Sequence, residues 1–248
     1  MNNFYKIIRK TLVILSFIAL GAVLLIVAGT QIKPYTSIKF GLSLPQEGKI
    51  GTTTAITKRK LPNSMNLDIA FQSQAPFGNW NPPYKEACEE AALILAHYYY
   101  EEKPVNPKTM QKEILSLVDW ENKVFGYHRD TNSFEMARTW REYFGHKNAE
   151  FKSNFTLEDL KTALAGGYPV IIPVAGRLLN NPHFKKPGPV YHALLAKGYL
   201  GNKIITHDVG TRLGKDFTYS AEILLNAAHD LDKRNILNGK KIMIILKS

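Results

Sequence analysis

The sequence holds one cysteine in 248 residues, Cys88. That excludes an intramolecular disulfide and leaves a free thiol to account for. A small buried hydrophobe is the bland account of such a residue; a reactive thiol is the other. The chain also lacks a Walker-type phosphate loop, so it carries no ATPase or transporter module of that kind. It shows no zinc-finger spacing, no RNA-binding motif and no basic zipper region, which argues against a nucleic-acid partner despite a formal charge of +11. No repeat or low-complexity tract interrupts it. Acidic residues are missing from the first 32 positions, where Lys6, Arg9 and Lys10 contribute +3, so the rest of the chain carries about +8. A surface of that sign suits an anionic cell-surface polymer or lipid headgroups, and it equally suits a merely soluble, lysine-rich exterior.

Charge is absent again between Lys10 and Lys33. The 22 residues 11–32 would make a helix of about 33 Å, enough for a hydrocarbon core of about 30 Å. Three cations and no acid precede the segment, which keeps the N-terminus cytoplasmic and sends the rest outward. The small residues Val27-Ala28-Gly29 offer a competing reading, a cleaved signal peptide. The expected organisation is a basic cytoplasmic N-terminus (1–10), a transmembrane anchor or signal peptide (11–32), a tether without sustained periodicity (33–64) and a globular domain (65–248). The domain is then held outside the cytoplasm by a single pass, or secreted if the segment is cleaved.

Within 65–248, "LDIAF" alternates like a short strand. In "YKEACEEAALILAHYYY", Tyr84, Ala87, Cys88, Ala91, Ala92 and Leu95 follow helical spacing, with Lys85, Glu86, Glu89 and Glu90 on the other face. Further helices are predicted at about 108–118, 132–144 and 156–166, the last with Thr156 as N-cap, Asp159 three residues on, and Gly166-Gly167 as the stop. The final third turns to strands, at 168–175, 190–199, 202–209 and 240–247, with a hairpin-type connection at Leu200-Gly201-Asn202-Lys203. Helices first and strands later predict an α+β fold with an antiparallel sheet.

Thiol chemistry needs a base to form the thiolate and a group to orient the base. His192, early in one predicted strand, and Asp208, late in the next, fall toward the same end of the hairpin. A simple register sets Asp208 opposite Leu195, three residues from His192, so a bulge or twist must close the gap. Each residue has a bland alternative: a histidine satisfied in the core or at the rim, and an aspartate serving turn chemistry before Gly210. Whether Cys88 gains from a helix N-terminus depends on where the helix starts. A first turn near Glu86 or Ala87 favours the thiolate, whereas a start at Pro83 leaves Cys88 too deep.

The blocks "LDIAFQSQAPFGNWNPPYKEACEEAALILA", "ALAGGYPVIIPVAGRLL" and "YHALLAKGYLGNKIITHDVGTRLGKDFTYS" occur in one order. Together they resemble the papain-like cysteine peptidases similar to bacteriocin-leader-processing, double-glycine peptidases, in their stand-alone branch. The resemblance spans about 65–230. It implies a papain-like fold in which the N-terminal helices, the nucleophile helix among them, pack on the C-terminal sheet. It implies Cys88 as nucleophile, His192 as base, Asp208 as the group orienting His192, and Gln74 as oxyanion donor beside the Cys88 backbone N–H. Gln72 lies two residues away; Gln74 is the one that matches the family block. No cofactor is implied. The family often has Gly where Tyr191 stands, and Asp-Pro-Gly where this chain has Asp208-Val209-Gly210. Tyr191 is thus expected to narrow the approach.

Outside this set, His183, His192, His207 and Asp208 fit no familiar metal spacing. The loop 175–189 is expected to border the substrate, with Arg177, Phe184, Lys185 and Lys186 as rim contacts, although a plain solvated basic loop reads as well. Trp80 is expected to pack and fix the segment before Cys88. The chemistry these features imply is peptide hydrolysis by an exported cysteine peptidase acting on a peptide or protein. Two alternatives stay open, a catalytically silent binding module on the same fold and an acyl transferase using the same thiol.

Overall fold

The computed structural model describes residues 60–248; the expected anchor or signal peptide and most of the tether lie outside the described residues. Among the described residues no helix is long and apolar enough to cross a membrane. Among the described residues five α-helices and seven strands follow one another in the order β1 (Ser64–Asn66), α1 (Cys88–Tyr100), α2 (Pro107–Val124), α3 (Ser133–Glu142), β2 (Asn148–Ser153), α4 (Leu157–Ala165), β3 (Val170–Ala175), β4 (Tyr191–Leu200), β5 (Lys203–His207), β6 (Phe217–Ser220), α5 (Ala221–Ala227) and β7 (Ile242–Lys247). The strands form one antiparallel sheet ordered β2-β7-β3-β4-β5-β6, with β1 pairing β4 off this path. The helices α1 and α4 pack on β4, and α3 packs on β2 and β7. This is the expected α+β arrangement of helices on an antiparallel sheet.

The core follows from the strand sequences. Every residue of β3 is buried, as a central strand covered on both faces requires. Pro173 is tolerated there because β7 pairs only with Val170 and Ile171, so no ladder partner needs an N–H at Pro173. Its carbonyl instead accepts from His229 N at 3.1 Å.

The β4–β5 hairpin carries the feature on which the site depends. Pairing starts regularly, Leu200 with Lys203, but the register shifts between Ala196 and Gly198, so that Leu195 faces His207. The bulged residue is Lys197. Continuing this register sets Asp208 opposite Leu194 rather than Leu195. A one-residue shift moves a side chain to the other face of a sheet, so the bulge turns Asp208 onto the face that Leu194 shares with His192. Gly198 sits where a Cβ would come 2.3 Å from Met65 O and 2.8 Å from Asn66 Cα. Only glycine allows β1 to lie this close.

Four local expectations change. "LDIAF" forms no strand, although burial alternates at Leu67 and Ile69; Leu67 N donates to Lys197 O at 2.8 Å and Ile69 N to Leu67 O at 2.9 Å, which is a turn and not a ladder. The α2 helix runs to Val124, six residues past its predicted end, because Glu121 takes the buried position on the ridge of Met110, Ile114, Leu117 and Val118. The polar face predicted for α1 is not solvated: Glu89 and Glu90 are 1% and 0% exposed. Trp80, expected to pack, is 38% exposed. The strands β1, β2 and β6 and the helix α5 have no counterpart among the predicted elements.

Candidate active site

Cys88 is the first residue of α1. A separate 3-10 turn, Tyr84–Glu86, precedes it, and Ala87 is the N-cap without any side-chain cap. The open question about the helix start is therefore answered in favour of the late start. A helix N-terminus favours a thiolate. Here other effects win: burial, then the Glu89 carboxylate and its hydrogen bond, hold the thiol well above its usual pKa, against a smaller lowering from the Ala193 backbone. The Cys88 S–H donates to Glu89 Oε2 at 2.8 Å. Among the described residues no hydrogen bond joins Cys88 to His192. The sulfur nevertheless lies beside β4, since the Ala193 backbone that it meets is one residue from His192.

His192 and Asp208 are joined. Nε2 of His192 bonds Asp208 Oδ1 at 2.8 Å, and both residues are buried. With the carboxylate as acceptor, Nε2 carries the proton and Nδ1 keeps the lone pair that can accept one from a thiol. Asp208 is fully committed. Oδ1 also accepts from Gly210 N at 3.1 Å; Oδ2 accepts from Asn181 Nδ2 at 2.8 Å and from the Tyr219 hydroxyl at 2.5 Å. Burial alone would raise its pKa, but the neighbouring His192 and the bonds from Tyr219 and Asn181 bring it below the usual carboxylate value. Gly210 closes against the imidazole, where a Cβ would lie 2.9 Å from Cε1, and Phe184 meets the ring edge-on at a centroid distance of 5.5 Å. Asp208-Val209-Gly210 is thus held by the aspartate's own side chain.

Gln74 is buried next to the same place, and its backbone N–H donates to Val209 O at 3.0 Å. Its Nε2 donates to the carbonyls of Tyr84 at 2.8 Å and Lys85 at 3.0 Å, in the turn that leads to Cys88, while Oε1 is buried without a partner. Gln72 points elsewhere, to Val105 O at 3.5 Å. Of the expected rim residues, Arg177 and Lys185 are exposed, whereas Phe184 is 9% exposed and supports His192 from below. Tyr191 is 5% exposed and its hydroxyl donates to Thr131 O at 2.8 Å, so it faces inward and leaves little surface for a substrate. His207 also belongs to the scaffold: Nε2 donates to Ile69 O at 2.8 Å and Nδ1 accepts from Asp216 N at 3.2 Å.

A family model described as Peptidase_C39 like family matches residues 66–228. The chain belongs to the Peptidase_C39-like family. The match covers the whole site of this C39-like chain, from Gln74 to Tyr219, and stops before β7, which the sheet places between β2 and β3. Among solved structures, one provisionally described as a C39-like peptidase from Bacillus anthracis superposes with a TM-score of 0.50 at 15% identity, over 75% of this chain and 98% of that one. Xylellain, a cysteine protease from Xylella fastidiosa, is more remote, with a TM-score of 0.36 and 14% identity over 76% of this chain and 87% of that one. No curated protein matches the chain. The C39-like chain therefore has a cysteine-peptidase-type fold.

Asn181, Tyr219 and Thr131 are the site residues that the sequence reading missed; Glu89 and Glu90 stand beside Cys88 in the sequence as acids that oppose its thiolate, but their burial was not expected. Tyr219 was within reach of that reading, since it alternates with Phe217 on a strand following the hairpin. Asn181 stands beside Asn180, and nothing in "LLNNPHF" distinguishes the two.

Proposed function

We propose that this chain is a cysteine peptidase, exported and held at the membrane by residues 11–32, that hydrolyses peptide bonds through Cys88, His192 and Asp208. The observation that carries this reading is the buried His192–Asp208 pair, with Nδ1 free to accept a proton, beside a thiol at the start of a helix packed on the same strand. Cys88 Sγ gives its proton to Nδ1, attacks the peptide carbonyl and forms a thioester; the imidazolium protonates the leaving amine, and water then releases the acid. Asp208 keeps the imidazole in one tautomer and stabilises its cation. The Cys88 backbone N–H is one oxyanion donor. Gln74 becomes the second when it exchanges one of its two carbonyl partners for the oxyanion. Arg177 and Lys185 form a cationic rim suited to an acidic segment of the peptide or to an anionic cell-surface polymer.

One observation favours a second reading. The thiol is bonded to a carboxylate and not to the histidine, as it would be in a silent binding module on the same fold. A peptide library incubated with the protein decides between the two. Mass spectrometry is expected to find an acyl group on Cys88, absent from Cys88→Ser. No adduct, together with full biological activity in Cys88→Ser, would establish the module instead. Release of the acyl group to an added amine in preference to water would mark an acyl transferase.

A further inference from the structure

The carboxylate at the sulfur has no place in the reaction just described, yet it is held more firmly than any substrate contact needs. Glu89 Oε2 accepts from the Cys88 thiol at 2.8 Å, and Oε1 accepts from Thr131 N at 2.8 Å. Thr131 is fixed in turn, because its carbonyl accepts from the Tyr191 hydroxyl at 2.8 Å. A strap thus runs from the residue after the nucleophile, through Thr131, to the residue before the base. Glu89 cannot swing away, being 1% exposed and bound at both oxygens. A thiol that donates to this carboxylate does not donate to His192.

We propose that Glu89 is a latch on the nucleophile: it holds the Cys88 thiol off His192 in the substrate-free protein, and reaction begins when the sulfur exchanges that bond for one to His192 Nδ1. The inference rests on Cys88 being the nucleophile of the reading above. The exchange is one side-chain rotation followed by one proton transfer, from sulfur to Nδ1, which leaves thiolate and imidazolium beside Asp208. It also gives Tyr191 a role as a positioning residue, since its hydroxyl holds the loop that orients the latch. The titratable groups facing Cys88 and Glu89 are Glu90 on α1, which Glu121 on α2 faces in turn, Asp130 before α3, and Tyr191 on β4; Asp230, after α5, faces Tyr191.

The test is the rate of Cys88 alkylation by iodoacetamide against pH, in the full-length chain, for the unchanged protein and for E89Q, E89D and E90Q. E89Q keeps the acceptor for Thr131 N–H and sets an amide N–H donor in place of the carboxyl oxygen at the sulfur. Its midpoint is expected to fall by about one pH unit, a tenfold gain in thiolate at fixed pH. A less basic thiolate is a weaker nucleophile, so the rate at pH 7 rises by about threefold only. E89D draws the oxygen back from the sulfur while keeping the carboxyl group, and its midpoint falls by less; it carries the test if E89Q does not fold. An unchanged midpoint in whichever of E89Q and E89D folds, or an equal fall in E90Q, overturns the latch. The outcome is independent of turnover. A shifted midpoint with no acyl adduct in the library experiment sinks the peptidase reading alone, and an adduct with an unshifted midpoint sinks the latch alone.

Discussion

At the scale of single residues the site is a chain of commitments that ends on Asp208. Four hydrogen bonds converge on its two oxygens, and Asn181 and Tyr219 share the oxygen that His192 does not use. Asn181→Ala removes one of them and leaves the others. A hydrogen bond to a buried charge contributes about 1.5–3 kcal/mol, so a thermal melt should show a loss in that range. Peptide turnover should fall by roughly tenfold, which corresponds to about 1.4 kcal/mol in the barrier, because Asp208 then holds the ring less firmly. A variant that melts lower but turns over at the original rate would make Asn181 a purely structural partner. The proposed triad of Cys88, His192 and Asp208 could be named from the sequence because its members sit in blocks of recognisable order. Their supports were not: Glu89 and Glu90 look like the solvated face of an amphipathic helix, and nothing local to them reveals that α2 and Thr131 cover that face.

Elements were legible where period and punctuation agreed. The α4 helix has its Thr156–Asp159 capping box and stops at Gly166, and four strands of the final third lie within two residues of their predicted ends. The strand β2 was invisible because an edge strand with five exposed residues of six carries no alternation. A bulge or twist was expected from the offset of Asp208 and His192, but its place at Lys197 was hidden, since a sequence marks the turn of a hairpin more readily than an irregularity four residues before Gly201. The consequence of β1 lying against Gly198 is testable. Gly198→Ala forces a methyl into the Met65 carbonyl, and overpacking of this kind costs about 1–3 kcal/mol. The Leu67 amide, bonded to Lys197 O, should lose its protection in hydrogen exchange while amides of β3 keep theirs. Unaltered exchange at Leu67 would show that β1 accommodates the methyl.

For the described domain as a whole, buried carboxyls set how stability responds to pH. Glu90 and Glu121 face each other, and none of their four oxygens has another partner, so the pair holds a proton. Burial raises the pKa of Glu89, Glu90 and Glu121. A carboxyl with a raised folded value contributes stability that is complete below its unfolded pKa, about 4.3, and lost as pH rises through the folded value. His207 opposes this, since burial lowers it to about 4; its contribution is complete above its unfolded pKa of about 6.5 and lost as pH falls through the folded value. Burial lowers His97, His128 and His146 as well, but they are less deeply buried than Glu89, Glu90 and Glu121, so the carboxyls prevail. The urea midpoint should therefore be lower at pH 8 than at pH 5.5, and Glu121→Gln should shrink that difference by giving Glu90 an amide partner. Identical midpoints at the two pH values would contradict this account of the buried acids.

The described chain enters at the β4–β5 turn, where the Tyr199 hydroxyl ties down Pro62 and a cleft of about 700 Å³ opens between Lys60, Pro62, Lys161 and Leu200. His192 lies at the other end of β4, eight residues on, or about 26 Å at about 3.3 Å per residue. Whatever secures this domain at its entry point grips the pole opposite the thiol. The proposed site therefore stands at the end of the sheet away from the first described residues.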